Sequence, residues 1–173
     1  MKMIIAVFGL PGSGKSFFAS RLAKKLQARY VSSDLIRNKL IAVRTYSEDE
    51  KMQVYNEMIN EMRKAMAKNE RIVLDATFYK KNIRNKFKDT ALESGRDILF
   101  IEVQADQSIT KQRLGKKRQH SEADYDVYLK IKDNFEPLLS KHLTLHSTQN
   151  NIKDMLNKGL RYINKANGKI SGN

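Results

Sequence analysis

The feature that most constrains this chain is an octapeptide near its amino terminus, residues 9–16, which reads G-L-P-G-S-G-K-S. It fits the phosphate-binding loop pattern G-x-x-x-x-G-K-[ST] at every fixed position. The residues before it, 3–8, form a short apolar run rich in branched and aromatic side chains, which is typical of a strand buried on both faces. After it, Phe18, Leu22 and Leu26 recur at helical spacing. The sequence therefore predicts a strand, a phosphate-binding loop and a helix in the required order.

Each residue type in this loop has a physical part in holding a phosphate. Gly9, Gly12 and Gly14 lack a Cβ atom, so the backbone can take positive φ and turn its N–H groups towards an anion. Lys15 adds a mobile charge for the β- and γ-phosphates, beside the positive end of the helix dipole, and Ser16 offers a hydroxyl to Mg²⁺. The alternative, an ordinary glycine turn that caps a helix, does not explain the flanking strand and helix. We expect ATP and Mg²⁺ to bind here, and the ATP-binding residues predicted in the loop are Gly9, Leu10, Pro11, Gly12, Ser13, Gly14, Lys15, Ser16 and Phe17.

Length and composition are those of one ordinary globular domain. The 173 residues are 40% hydrophobic, and we expect a single domain over residues 1–165 with a frayed tail over 166–173. The sequence has no cysteine and three scattered histidines, which excludes disulfides and thiolate metal sites and gives no recognisable zinc spacing. No stretch approaches the roughly 20 apolar residues of a membrane span, and no signal peptide is evident. We expect a cytoplasmic protein without a membrane partner, and the oligomeric state stays open.

The chain is strongly basic, with a formal net charge of +14. Such an excess favours polyanionic partners or highly charged phosphate substrates. Basic residues gather over residues 80–88 and 111–118, and more thinly along the last predicted helix. Nucleic acid is therefore a candidate partner. The alternative is that lysine-rich helix faces only keep the chain solvated.

Strands and helices alternate along the rest of the chain. Short β-forming runs lie at residues 30–33, 71–75, 98–103 and 143–146, and helical spacing predicts helices from residue 34, over 48–66, 80–93, 108–115 and 123–135, and from 152. We interpret residues 43–47 as a loop and expect fraying from Asn164 onward. The alternation predicts an α/β fold in which helices cover both faces of a parallel sheet. Ligands of such a sheet bind at the carboxyl ends of its strands.

Asp34 lies just past the second predicted strand, on that edge of the sheet. Two roles are open to it. It can cap the helix that follows, although Ser33 could do so instead. It can also accept the proton of a substrate hydroxyl during phosphoryl transfer. Arg37, three residues on, shares its helix face and can either bind an anionic substrate group or pair with Asp34.

Asp75 ends the third predicted strand and begins the segment Asp75-Ala76-Thr77. An acidic residue at this position beside a phosphate loop commonly holds Mg²⁺ through water or fixes a catalytic partner, and a capped turn is the alternative. Thr77 could hydrogen-bond the substrate or Asp34, and Arg84 could reach an anionic substrate from the next helix. Asp34, Arg37, Asp75, Thr77 and Arg84 are the predicted substrate-binding residues, and Ser16 and Asp75 are the predicted metal ligands.

The basic stretch over residues 113–122 resembles a mobile lid. Phosphoryl transfer leaves little covalent chemistry to the protein, so an arginine that closes over the transferring group supplies useful positive charge and excludes water. Arg118 is our first choice for that arginine and Arg113 the second, both also as ATP-binding residues. The alternative is a solvated basic helix end.

Together, these motifs resemble a known family. The loop over 9–16, Ser33-Asp34-x-x-Arg37, Asp75-Ala76-Thr77 and a basic lid before Ser121-Glu122-Ala123-Asp124 are similar to P-loop kinases that carry an AAA domain. That family is similar to the kinase domain of polynucleotide kinases and, more distantly, to chloramphenicol phosphotransferase and zeta toxins. The resemblance runs from Met1 to about Pro137, and only the phosphate loop is highly specific by itself.

The resemblance implies an ATP- and Mg²⁺-dependent phosphotransferase. It implies a P-loop NTPase fold, a three-layer α/β/α sandwich whose five-stranded parallel sheet has the order 2-3-1-4-5, with a helical lid. The family's catalytic residues correspond to Asp34 as general base, to Lys15, and to Arg118 on the transferring phosphates, while Arg37 corresponds to a substrate-binding residue. The segment over 121–137 looks more like bacterial kinases of unassigned acceptor than like the polynucleotide kinases.

Three functions follow from these observations. The leading hypothesis is a kinase that moves the γ-phosphoryl group of ATP to a hydroxyl of a small molecule. A polynucleotide 5′-hydroxyl kinase is the alternative, which the net charge of +14 favours. A non-catalytic, nucleotide-dependent switch is the third.

Overall fold

The first strand, β1 (Ile4–Phe8), is buried along its whole length, so it must lie inside a sheet that is covered on both faces. The computed structural model describes residues 3–41, 47–115 and 125–170. The other strands are β2 (Arg29–Ser32), β3 (Ile72–Asp75), β4 (Ile98–Gln104) and β5 (Leu143–His146). The helices are α1 (Lys15–Leu26), α2 (Ser33–Leu40), α3 (Glu48–Ala67), α4 (Lys81–Glu93), α5 (Gln107–Leu114), α6 (Tyr125–Asp133) and α7 (Ile152–Ile170).

In the part of the chain that the structure describes, five strands form one parallel sheet in the order β2-β3-β1-β4-β5. β1 pairs with β3 on one side and β4 on the other, and Val7 lies opposite both Asp75 and Ile101. Because all strands run the same way, the segments after Phe8, Ser32 and Asp75 emerge at one edge of the sheet. This edge carries the phosphate loop, the start of α2 and the segment after β3.

Alternate side chains of β1 enter two separate cores, as the period of a strand requires. Ile4, Ala6 and Phe8 join a core that includes buried residues of α3 and α4. Ile5 and Val7 join a second core, to which α1 and α7 contribute. The molecule thus has a layer of α3 and α4 on one face of the sheet and a layer of α1 and α7 on the other. The predicted α/β/α fold and its strand order are confirmed.

Two predicted element ends differ from the structure by more than one residue. The helix predicted over 123–135 ends at Asp133 in its described part, and Phe135 beyond it packs against the first core and stacks with Phe8. The chain does not fray at Asn164, because α7 continues to Ile170. The reason is that Ala166 extends the apolar stripe of Met155 and Ile163 and packs against the second core. Within the described residues, no helix is both long and apolar enough to cross a membrane.

Candidate functional site

The loop between β1 and α1 has the backbone conformation that its glycines predict. Gly9, Gly12 and Gly14 have φ values of 148°, 78° and 90°, which side chains other than hydrogen rarely permit. A Cβ atom on Gly9 would lie 2.2 Å from the backbone oxygen of Val103, so a close approach of the loop to β4 also requires glycine there. α1 begins directly after Gly14, so its free N–H groups and dipole face the loop.

Asp75 ends β3 next to this loop and is almost completely buried. The Tyr30 hydroxyl donates a hydrogen bond of 2.6 Å to its Oδ2, while its Oδ1 has no partner among the described residues. Burial raises the pKa of Asp75, and the charge of Lys15 and the hydrogen bonds from Tyr30 and Ser16 oppose that rise. The nearby charge of Asp34 raises the pKa of Asp75 further. Lys15, Ser16 and Asp34 are therefore each close enough to Asp75 to act on its carboxylate.

Ser16 and Asp75 fit a magnesium ion. Mg²⁺ in phosphotransfer sites is held by one or two protein oxygens, with water and phosphate oxygens completing the shell. Asp75 Oδ1 is a buried oxygen without a partner among the described residues, and the Ser16 hydroxyl lies close enough to the same carboxylate to lower its pKa. The part of the chain that the structure describes contains no cluster of three acidic or histidine side chains that could hold a metal by itself. The donor set thus suits an ion that arrives with phosphates.

Asp34 lies in the first turn of α2 and is fixed by a chain of charges. Arg37 donates to Asp34 Oδ1 at 3.1 Å and, through its Nε, to Glu50 Oε1 at 2.9 Å. The Glu50 side chain is 4% exposed and that of Arg37 is 15% exposed, so the guanidinium is fixed by a buried carboxylate of α3. Ser32, the residue that precedes α2, makes no side-chain hydrogen bond that caps the helix. The structure brings Asp34 and Arg37 together as an ion pair in which the Asp34 side chain is the more exposed, at 27%.

Thr77 lies in the segment between β3 and α4. Its hydroxyl is 3.4 Å from the hydroxyl of Tyr55, a buried residue of α3. Burial raises the pKa of Tyr55, while the charge of Arg37 and the hydrogen bond with Thr77 lower it. Tyr55 therefore lies close to both Arg37 and Thr77.

Arg84 is placed differently from our expectation that it binds substrate. It is 1% exposed, and its guanidinium donates to the backbone oxygens of Phe78 and Glu136 at 2.7 Å and of Pro137 at 3.3 Å. Burial lowers the pKa of Arg84. This arginine ties the start of α4 to the segment after α6, and that geometry argues against a substrate-binding role.

The guanidinium of Arg113, near the end of α5, hydrogen-bonds other parts of the protein. It donates to the backbone oxygens of Gly12 and Ser13 at 3.2 and 3.1 Å, to Ser147 Oγ at 3.0 Å and to the Thr148 oxygen at 2.9 Å. It thereby joins the phosphate loop to the loop after β5. Arg118, like most of the predicted lid over 113–122, lies outside the described residues.

A cavity of about 620 Å³ lies beside the phosphate loop, and we call it the phosphate-loop cavity. It is lined by Gly12, Gly14, Lys15, Ser16, Phe17, Gln112, Arg113, Ser147, Thr148, Gln149, Asn151, Ile152 and Met155. Phe17 is 53% exposed, and the Arg21 guanidinium lies 3.3 Å from the centre of its ring. The sequence reasoning missed the wall formed by 147–152. The strand-end rule could have found it, because these residues follow β5 at the same edge of the sheet.

A second cavity, of about 490 Å³, lies between the starts of α3 and α4, and we call it the α3–α4 cavity. Its walls include Lys51, Tyr55, Tyr79, Asn82 and Glu136. Lys51 Nζ donates to Glu48 at 2.7 Å and to the Tyr79 hydroxyl at 3.3 Å. Tyr55 forms part of this wall and also contacts Thr77, so the cavity adjoins the group that contains Asp34 and Arg37.

Comparison with solved structures finds proteins of the same fold, two of them named as kinases. A gluconokinase from Sinorhizobium meliloti 1021 has a TM-score of 0.75 at 15% identity over 99% of this chain and 98% of its own. The APS kinase CysC of Mycobacterium tuberculosis, in complex with AMPPNP and APS, has a TM-score of 0.71 at 17% identity over 94% and 98%. Kti12 of Chaetomium thermophilum, in complex with ADP-AlF3, has a TM-score of 0.68 at 19% identity over 91% and 97%.

Comparison by sequence gives one family. No curated protein sequence matches significantly. A family model described as an AAA domain matches residues 4–138, which span β1 to the segment after α6 and include the phosphate loop, Asp34 and Asp75. This chain belongs to that AAA-domain family, and its fold is that of the P-loop kinases.

Proposed function

We propose that this chain is an ATP- and Mg²⁺-dependent kinase that transfers the γ-phosphoryl group of ATP to a hydroxyl of a small molecule. The observation that carries the proposal is the grouping of Lys15, Asp75 and Asp34 at one edge of the sheet. The charges of Lys15 and Asp34 are both close enough to shift the pKa of Asp75. Phosphoryl transfer needs this combination of a phosphate cradle, a metal-binding oxygen and a base for the acceptor.

The phosphate-loop cavity would hold ATP. The N–H groups of the loop and Lys15 would bind the β- and γ-phosphates. The base and ribose would lie along the remainder of the cavity, between Arg113 and the wall at Gln149 and Ile152. Its volume of about 620 Å³ suits a ligand of nucleotide size. Among the structural neighbours, the APS kinase is in complex with AMPPNP and Kti12 with ADP-AlF3, which supports a nucleotide at the loop.

Ser16 and Asp75 would hold Mg²⁺. A bound magnesium ion neutralises charge that develops on the transferring phosphoryl group. The protein's own contribution is orientation, because Tyr30 holds Asp75 Oδ2 and leaves Oδ1 for the ion. Arg118 keeps its predicted role as the lid arginine over the phosphates.

Asp34 would accept the proton of the attacking hydroxyl. Arg37 holds Asp34 Oδ1 at 3.1 Å, and Glu50 in turn fixes Arg37, so the carboxylate is oriented before the acceptor arrives. The acceptor itself would enter through the α3–α4 cavity. Its volume of about 490 Å³ and its mixture of tyrosine, lysine, asparagine and glutamate side chains suit a small polar molecule.

The charge on the acceptor side favours a small molecule over a polynucleotide. α3 and α4 together carry seven basic and seven acidic residues, so the layer that borders the α3–α4 cavity has no excess of positive charge. A strand of nucleic acid that presents its 5′-hydroxyl needs several uncompensated Lys or Arg residues along its path. The structural neighbour that is named as a gluconokinase supports the same preference, because its name gives a small-molecule acceptor.

The test is an ATP-consumption screen with sugars, sugar acids, other alcohols, nucleosides and 5′-hydroxyl oligonucleotides as acceptors. We expect one small-molecule class to be phosphorylated, and Asp34→Asn to lower kcat about 10²- to 10⁴-fold while ATP affinity stays within about twofold. Asp89→Asn, an exposed carboxylate on α4, is the matched control and should leave kcat unchanged. Full turnover by Asp34→Asn, or turnover of oligonucleotides alone, would contradict the proposal.

A further inference from the structure

Charge is distributed very unevenly between the two helical layers. α1 and α7 carry nine lysine and arginine residues and one acidic residue, Asp154. The opposite layer, α3 and α4, is balanced. Most of the excess positive charge of the described helices therefore lies on the layer that is remote from the α3–α4 cavity.

Seven of these basic residues are exposed, and one of them, Arg21, lies over the Phe17 ring. We call the other six the basic face: Lys24, Lys25, Lys153, Lys158, Arg161 and Lys165. On α7, Lys158, Arg161 and Lys165 follow one another at spacings of three and four residues, so they form one stripe along the helix. The stripe extends over about 10 Å, since a helix rises 1.5 Å per residue. Among the described side chains of α1 and α7, Lys158 alone has an acidic partner on these two helices, Asp154 at 2.8 Å.

The packing of α1 against α7 places both sets of charges on one helical layer. Gly159 faces α1, and a Cβ atom on it would lie 3.0 Å from Phe18 Cζ and 3.9 Å from Leu22 Cδ1. The missing side chain thus allows a close approach of the helices. Bringing like charges together on adjacent helices is unfavourable for the folded chain, and a bound polyanion would relieve that repulsion.

The same layer offers little apolar surface to a partner. Phe18, Leu22, Met155 and Ile163 are buried in the second core. Among the described side chains of α1 and α7, Phe17 is the one large apolar residue that is exposed, and it lies at the phosphate-loop cavity. A protein interface has an apolar centre, and a membrane-surface helix turns an apolar face outward. Nucleic acid needs neither, because phosphate contacts from Lys and Arg supply non-specific affinity by themselves.

We propose that the basic face on α1 and α7 binds the phosphate backbone of nucleic acid, without sequence specificity and outside the catalytic site. Such a surface would place the enzyme on a polyanion while both cavities remain open. It differs from the polynucleotide-kinase hypothesis, in which the nucleic acid is the acceptor. It also explains why a chain with a balanced acceptor side has a net charge of +14.

The test is fluorescence anisotropy of a labelled mixed-sequence RNA duplex with the full chain, at several salt concentrations and with a saturating ATP analogue. The variant Lys158→Gln/Arg161→Gln/Lys165→Gln removes the α7 stripe. The matched control, Lys64→Gln/Arg63→Gln/Lys86→Gln, removes the same residue types and the same charge from the balanced layer, including one ion-paired lysine. Lys24→Gln/Lys25→Gln tests the α1 half independently.

We expect the α7 variant to bind RNA at least about tenfold more weakly at low salt. We also expect the slope of log K against log salt to become shallower by about 3, roughly one per lysine or arginine removed. The control should stay within about twofold of the wild type, and ATP turnover of both variants should be unchanged, which separates this proposal from the proposed function. Equal losses in both variants, displacement of RNA by the ATP analogue, or binding to phosphatidylserine vesicles but not to RNA would overturn it.

Discussion

At the scale of single residues, Asp75 combines burial, one firm hydrogen bond and one carboxylate oxygen without a partner among the described residues. An unpaired buried carboxylate destabilises the fold, and such a cost is typical of sites whose partner is a ligand. The arrangement explains why a strand that is otherwise apolar ends in an aspartate. It also makes the stability of the ligand-free protein sensitive to this one charge.

We therefore expect Asp75→Asn to raise the melting temperature of the ligand-free protein by roughly 2–4 °C, which corresponds to about 1 kcal/mol in a chain of this size. The raised pKa of Asp75 means that the folded state binds the proton more tightly than the unfolded chain. The stability from that proton is fully present below the ordinary value of 3.8 and is lost as pH rises through the raised pKa. The gain from Asp75→Asn should therefore be larger at pH 7 than at pH 4.

Differential scanning calorimetry at both pH values measures this, with Asp97→Asn, an exposed aspartate, as control. A lower melting temperature for Asp75→Asn at pH 7 would mean that the carboxylate stabilises the ligand-free fold.

At the scale of elements, Arg113 joins three segments of the chain, and its hydrogen bonds reach partners up to 101 residues away in sequence. A lysine has a single ammonium group and cannot bond the Gly12, Ser13 and Thr148 oxygens and Ser147 Oγ at once. We expect Arg113→Lys to weaken binding of an ATP analogue about tenfold and to change kcat little, because the loop and the wall after β5 lose their common donor. Lys111→Gln, exposed on the same helix, is the control.

Isothermal titration and steady-state kinetics together separate the two roles of Arg113. A large fall in kcat at unchanged affinity would show that it acts on the transferring phosphoryl group, as the prediction of a lid arginine from the sequence implies.

The contact between α1 and α7 provides a second test at this scale. A leucine at position 159 would press into Phe18, which is fully buried, so Gly159→Leu should cost about 1–3 kcal/mol from overpacking. Gly168 lies on the same helix with nothing within 4 Å of its Cβ position, so Gly168→Leu should be neutral or slightly stabilising. Urea unfolding curves of the two variants give the comparison. Similar free energies of unfolding would contradict the close packing at Gly159.

The same elements explain what the sequence could predict. The strand-end rule located Asp34, Asp75 and Thr77 because it needs only the end of each strand. It could not show that Tyr30 would meet Asp75 or that Glu50 would hold Arg37, since those partners lie 45 and 13 residues away and depend on strand register and helix docking.

The sequence already contained a sign that the Arg84 side chain is buried. Arg84, Phe87 and Ala91 recur at helical spacing on one side of α4, and all three are buried. An arginine within an apolar stripe is expected to use its donors inside the protein, and Arg84 does so on three backbone oxygens.

At the scale of the whole molecule, the sheet separates two tasks. Its carboxyl edge gathers the phosphate loop, Asp34 and Asp75, with the phosphate-loop cavity on the side of α1 and α7 and the α3–α4 cavity on the other. Nucleotide and acceptor would thus approach the same edge from opposite layers. The central claim of this account is that the loop over residues 9–16 binds the triphosphate.

Calorimetric titration of the wild type and Lys15→Ala with a non-hydrolysable ATP analogue in the presence of Mg²⁺ tests that claim most directly. We predict that Lys15→Ala lowers the affinity about ten- to hundredfold, the loss expected when a charged hydrogen-bond donor to the phosphates is removed, while Lys24→Ala, exposed on the same helix, retains wild-type affinity. Equal affinities of the wild type and Lys15→Ala would contradict it.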